Sequence, residues 1–242
     1  MTLSIEHARG VSELEDASAE EILAWTYAAH SRVALVASFQ VESGVLIDLA
    51  CRVTDHPDVL TIDTGRLPEE THEAMEMFRR RYPIALHVLT PDPDGVATMT
   101  LEHGPLLFRR SPELRQRCCD VRKARPLAHA LRTYDAWITG VRRDQTPERA
   151  AFPVIAADPH HGGITKVAPL AAWSNADVQE YVVEHRVPRH ALYGRGYTSI
   201  GCAPCTRATA ADEDPRAGRW WWENGAAKEC GLHHRPLTEE DE

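Results

Sequence analysis

Six cysteines carry most of the chemistry open to this sequence: Cys51, Cys118, Cys119, Cys202, Cys205 and Cys230. Four of them form two knuckles, the tandem Cys118-Cys119 and the pair Cys202-Ala-Pro-Cys205. Neighbouring residues on an α-helix point about 100° apart. A tandem pair therefore converges poorly on one small tetrahedral ion but can reach two corners of a larger body. A structural zinc normally takes spaced pairs on both sides, whereas a tandem pair with a C-x-x-C pair suggests an iron–sulfur cluster held by four cysteines. The plainer alternative is four buried or zinc-binding cysteines beside a solvated basic helix.

Four thiolates on an iron–sulfur core leave net negative charge, which is costly to bury alone. The surrounding sequence is suited to offset it. Residues 109–125, RRSPELRQRCCDVRKAR, contain seven basic and two acidic residues, a local +5 in a chain of net charge −9. Arg117, Arg122, Lys123 and Arg125 lie closest, and Lys123, four residues after Cys119, would share its face of a helix. A basic island around a cysteine pair asks for an anion. Cys230, in KECGLHHRP, has Lys228 and His233 to favour its thiolate and Glu229 to oppose it. It is either a candidate nucleophile or an incidental surface thiol. Cys51 sits in an apolar helical run and reads as core.

These residues need elements to position them. Residues 18–30 open with a capping box, Ser18 to Glu21, and read as a helix. VALVAS (33–38), VLTIDT (59–64), IALHVL (84–89) and DAWITG (135–140) read as short buried strands. Helices are expected over 44–53, 68–82, 118–132 and 174–185, and TPDPDG (90–95) as a loop. Strands alternating with helices imply an α/β fold, a mainly parallel sheet with helices on both faces. In such sheets ligands sit beyond the carboxyl ends of the strands, where Ser38, Thr64 and Gly140 fall. The length suits one domain spanning 1–242. Its last part, 198–242, is rich in Gly, Pro, Arg and Trp and reads as an irregular segment folded over a site.

Composition excludes several classes. With 43% hydrophobic and 26% charged residues the chain reads as an ordinary globular protein. Its acidic balance argues against a nucleic-acid binder, and no apolar run is long enough for a membrane span. The acidic start lacks a secretory pattern, so a cytoplasmic location is expected. There, structural disulfides are disfavoured and cysteines serve metals or thiol chemistry.

Seven strings are recognisable together: CCDVRKARPL (118–127), AWITGVRRDQTPER (136–149), YTSIGCAPCTR (197–207), RAGRWWWE (216–223), KECGLH (228–233), ASFQVESGVLID (37–48) and TIDTGRLPEET (61–71). Taken in chain order, over roughly residues 33–234, they resemble the assimilatory adenylyl-sulfate (APS) reductases. The resemblance implies an adenine-nucleotide α-hydrolase-like fold related to the PP-loop ATP pyrophosphatases. It also implies reduction of adenylyl sulfate to sulfite and AMP by reduced thioredoxin. Cys118, Cys119, Cys202 and Cys205 would ligate a [4Fe–4S] cluster, and Cys230 would be the nucleophile, forming an S-sulfocysteine. Lys123, Arg149, Arg216 and Arg219 map onto the anion contacts, and His233 onto a place near the sulfate or the nucleophile. Presence of all four ligands favours adenylyl sulfate over the 3′-phosphorylated nucleotide (PAPS), although some cluster-bearing relatives take both. The loop SFQVES (38–43) stands where PP-loop enzymes carry SGGxDS, and its double glycine is gone, which fits a protein that binds an AMP moiety without cleaving ATP. Arg66 is a further plausible contact, the tryptophans 220–222 read as packing, and a homo-oligomer is possible.

Overall fold

Short aliphatic runs build six strands: β1 (Val33–Val36), β2 (Asp58–Ile62), β3 (Ala85–Leu89), β4 (Ala136–Ile138), β5 (Ile155–Asp158) and β6 (Ile164–Val167). The structure is a computed structural model that describes residues 13–223. The strand order is β3-β2-β1-β4-β6-β5. β1 pairs in parallel with both β2 and β4, β4 pairs in parallel with β6, and β5 is antiparallel to β6. The chain thus runs outward from β1 through β2 and β3, then returns to place β4 on the other side of β1. That reversal is a topological switch point, where open α/β sheets bind ligands. The mainly parallel α/β class expected from the sequence is the one found.

Seven α-helices lie among the described residues: α1 (Ala19–Ala29), α2 (Val41–Val53), α3 (Glu69–Arg81), α4 (Pro93–His103), α5 (Pro112–Cys119), α6 (Arg125–Leu131) and α7 (Asn175–Glu184). None is long and apolar enough to cross a membrane. The Ser18–Glu21 capping box is formed in both directions. α2 is pinned by a buried carboxylate: Asp48 accepts from Arg52 at 2.8 Å, the Tyr82 hydroxyl at 3.0 Å and the Tyr181 hydroxyl at 2.7 Å.

Three expectations need correction. Residues 93–95, expected in a loop, start α4, because the Asp92 side chain accepts from Gly95 N–H and Pro93 occupies the first turn. The β5–β6 pair was not expected. Its Asp158 and Lys166 side chains are both turned inward, which masks the apolar alternation that marks a strand. The helix expected over 118–132 is interrupted by a π-helical turn, Asp120–Ala124. Pro126 has no N–H to continue the α-ladder, and Arg125 N–H donates instead to the Asp120 carbonyl five residues back.

The chain divides into two compact units. Of the described residues, the first takes those up to Thr61 with Met75–His87 and Thr133–Arg189, and the second takes Ile62–Ala74, Val88–Arg132 and those from His190 to Glu223. The first is built around Leu35, Leu46, Ile47, Leu60, Phe78 and Trp137, all fully buried. The second packs Met99, Leu107, Phe108, Val121 and Trp220 into one core, and two of its buried members are Cys118 and Cys205.

Candidate functional site

In the first unit, the chemistry gathers at the carboxyl ends of β1 and β4. Ser38 follows β1 and is exposed. Its backbone N–H donates to Ser43 Oγ at 3.0 Å and its hydroxyl receives Gln40 Nε2 at 3.1 Å, so the loop closes on itself before α2 begins. Phe39 stands at φ +56°, a left-handed conformation that costs a non-glycine residue of order 1–3 kcal/mol. Its ring is buried and lies 5.5 Å from Phe78, which offsets that cost. One of the two glycines missing from SFQVES is therefore missed only in composition, since the backbone keeps the glycine-type turn. The start of α2 leaves backbone N–H groups free of intrahelical partners, an arrangement that favours anions.

Gly140 follows β4, and a Cβ there would sit 3.0 Å from the Glu42 side chain. Close approach of the two elements favours glycine at this point. Glu42, in the first turn of α2, accepts from Arg142 Nε and Nη2 at 3.3 Å and from Gln145 Nε2 at 3.0 Å. Arg142 is buried and also reaches Asp144 at 2.5 Å. Arg149 ends a short turn and donates to Gln145 Oε1. The Glu42–Arg142–Gln145 network was missed from sequence; the string VRRDQTPER contains its members, but only the fold brings Glu42 to them.

In the second unit all four paired cysteines share one packed cluster. Cys118 and Cys205 are buried in it, and Cys119 and Cys202 pack against it. Cys119 is the last residue of α5, and the π-helical turn carrying Arg122 and Lys123 follows directly. Cys202 Sγ lies 3.2 Å from Thr64 Oγ1. Thr64 is in turn fixed by Arg66 N–H at 3.2 Å, and its carbonyl accepts Arg122 Nη1 at 2.7 Å. Ala203 N–H donates to the Arg66 carbonyl at 2.8 Å, which ties the second knuckle to the Asp63–Arg66 turn. Cys205 is held from the other side, where its carbonyl accepts Trp220 N–H at 3.1 Å.

Burial pushes the Cys118 thiol up, against the pull of Arg66, Arg122 and Lys123 and with Cys202 adding to the rise. Burial and the neighbouring Cys202 push Cys205 up to about 12, with Lys123 and Arg219 opposing. These mutual effects place Cys118, Cys202 and Cys205 within electrostatic reach of one another and of the cations. Of the basic island, Lys123 and Arg122 face the thiols, joined by Arg66 and Arg219 from elsewhere in the chain. Arg125 is turned to Asp120 at 2.6 Å, and Arg115 makes a buried pair with Glu223 at 3.0 Å. Arg216 is half-buried, with its backbone N–H on Asp214. Arg219 is buried, donating to Ser199 Oγ and the Ile200 carbonyl. Arg122 Nε, Arg219 Nε and Trp220 Nε1 are buried donors beside this cluster with no acceptor among the described residues. Among the described residues no three His, Cys, Asp or Glu side chains form a metal-binding group. Cys230 and His233 lie outside the described residues. Trp220 and Trp222 pack in the core as expected, while Trp221 is exposed.

A parallel sheet with a switch point between β1 and β4, and a helix starting over the strand ends, defines an α/β nucleotide-binding class. The sequence model of the phosphoadenosine phosphosulfate reductase domain matches residues 32–208, and the chain belongs to that family. An adenosine 5′-phosphosulfate reductase of Allochromatium vinosum is 42% identical, covering 92% of this chain and 87% of its own. A phosphoadenylyl-sulfate reductase of Candida auris, solved as a phosphate complex, superposes with TM-score 0.71 at 27% identity, over 86% of this chain and 99% of that one. A yeast FAD synthetase shares the fold at TM-score 0.58 and 14% identity, over 86% of this chain and 70% of that one.

Proposed function

We propose that this chain reduces adenylyl sulfate to sulfite and AMP in sulfate assimilation, with thioredoxin as reductant, in the cytoplasm. The observation that carries this choice is one packed core that holds Cys118 and Cys205 buried, with Cys119 and Cys202 against it, and the cations Arg66, Arg122, Lys123 and Arg219 acting on its thiols. A relative of known name, the Allochromatium vinosum enzyme, supports the same nucleotide.

The donor set fits a [4Fe–4S] cluster on Cys118, Cys119, Cys202 and Cys205. Its chemistry supports the fit, with four soft thiolate ligands, cations to offset their charge, and the unsatisfied Arg122, Arg219 and Trp220 donors to bond sulfur. Bound there, such a group would supply local negative charge and polarise nearby cations without passing electrons. Ser38, Gly140 and Arg149 of the first unit are assigned to the nucleotide. Lys123, Arg216 and Arg219 of the second are assigned to the anion's developing charge, where placed cations act most strongly. Arg219 spends Nη1 on Ser199 and the Ile200 carbonyl, so its part toward the anion is electrostatic.

The Cys230 thiolate attacks the sulfate sulfur. An S–S bond forms, the bond from sulfur to the phosphate oxygen breaks, and AMP leaves with that electron pair. His233 is assigned to the sulfate. A thioredoxin thiolate then attacks Cys230 sulfur, sulfite departs with the bonding pair, and thioredoxin's second thiol resolves the mixed disulfide. Two electrons pass from the dithiol to sulfur, and the balance closes. Cys230→Ser should keep the iron colour and lose sulfite release; turnover by that variant would overturn the mechanism. The family model and the Candida auris structure favour a second reading, phosphoadenylyl-sulfate reduction. Initial rates on the two nucleotides separate them: faster turnover of the 3′-phosphorylated one supports the second.

A further inference from the structure

Gln145 stands between Glu42 and Arg149, and its side-chain amide has only one way round. Its Oε1 accepts two donors, Arg142 N–H at 3.1 Å and the Arg149 guanidinium, while its Nε2 donates to Glu42 Oε1 at 3.0 Å. Flipping the amide would set NH₂ against two N–H donors and an oxygen against a carboxylate. Glu42 is fixed in turn by buried Arg142 through Nε and Nη2. The string of contacts therefore runs from the first turn of α2, at the end of β1, to Arg149. A like charge stands close by: burial pushes the Lys166 ammonium down, Asp158 pulls it back and Arg149 pushes it down further. Lys166 is caged between the Trp137 and Phe152 rings, 4.8 and 5.2 Å from their centroids, and is committed to Asp158 at 4.0 Å. Its charge repels the Arg149 guanidinium, and Gln145 supplies an acceptor that holds it in place.

We propose that Gln145 is a positioning residue that aims Arg149 at an anionic group of the adenine nucleotide and registers it to the start of α2. The proposal rests on the assignment of Arg149 to the nucleotide. An isosteric Gln145→Met removes the amide and keeps the volume. In the full-length protein, titration calorimetry with AMP and steady-state rates with adenylyl sulfate give the readout. Q145M should raise the AMP dissociation constant and KM about tenfold, as loss of one charge-assisted contact does, with kcat within about twofold. In an Arg149→Ala background, Q145M should add nothing. The exchange Glu42→Gln with Gln145→Glu restores a donor–acceptor pair across the same gap and should recover most of the affinity. A loss of folding alone would not be rescued in this way. If R149A binds AMP as tightly as the parent, the assignment of Arg149 fails and the positioning role fails with it. If R149A weakens AMP but Q145M does not, or Q145M costs as much without Arg149 as with it, the positioning role alone is overturned.

Discussion

Arg219 and the Arg115–Glu223 pair pack in the second unit, and each gives a test. A Cβ on Gly201 would fall inside the contact distance of the Arg219 guanidinium, which is buried and fixed by Ser199 and Ile200. Gly201→Ala must therefore move either Arg219 or the turn that carries Cys202. Reduced iron content after anaerobic purification is expected, with a lower melting temperature; full iron occupancy would contradict this. Arg115 and Glu223 are 2% and 3% exposed at the side chain. Glu223→Leu takes from the buried Arg115 guanidinium its carboxylate and should cost about 3–5 kcal/mol in urea unfolding. A cost below about 1 kcal/mol would mean the pair contributes little, as surface pairs do. That the two cysteine pairs belong together was legible in the sequence, because thiol spacing is itself chemical information, and all four share one packed cluster. The pairings Glu42–Arg142 and Arg115–Glu223 were not legible, because nothing in their local sequence announces partners a hundred or more residues away.

At the scale of elements, His190 governs the turn Ala191–Arg195 that leads toward the second knuckle. Leu192 N–H donates to its Nδ1 at 3.2 Å, which leaves Nε2 to donate to Thr71 Oγ1 at 3.0 Å. The ring is thus bonded in its neutral form. Burial lowers its pKa from the ordinary 6.5, against a smaller upward pull from Glu70. A depressed folded pKa means that protonation is resisted by the folded state. The stability of the neutral ring is present above about pH 6.5 and is lost as pH falls through the lowered folded value. The melting temperature should therefore drop from about pH 7 to about pH 5, and drop less in His190→Asn, which keeps an acceptor near Nδ1. Equal slopes would show that His190 does not set this limb. The strands β1, β2 and β4 were legible because buried parallel strands are uniformly apolar, and β3, with no residue fully buried, by its short aliphatic run alone. β5 and β6 were hidden by an inward Asp158 and Lys166, and the start of α4 by cap residues that also make loops.

Across the whole chain, a net charge of −9 says little about ligands, because the sign that matters is local. Arg66, Arg122, Lys123 and Arg219 stand around the thiols within an otherwise acidic sequence. Family membership fixes the frame, and the central claim is that Cys230 takes the sulfonate from adenylyl sulfate. The most direct measurement is intact-protein and peptide mass spectrometry after mixing anaerobically purified protein with adenylyl sulfate and no reductant. One sulfonate group on Cys230, formed with one equivalent of AMP and released as sulfite on adding reduced thioredoxin, is the expected result. AMP release without an adduct, or an adduct on another cysteine, would contradict the account.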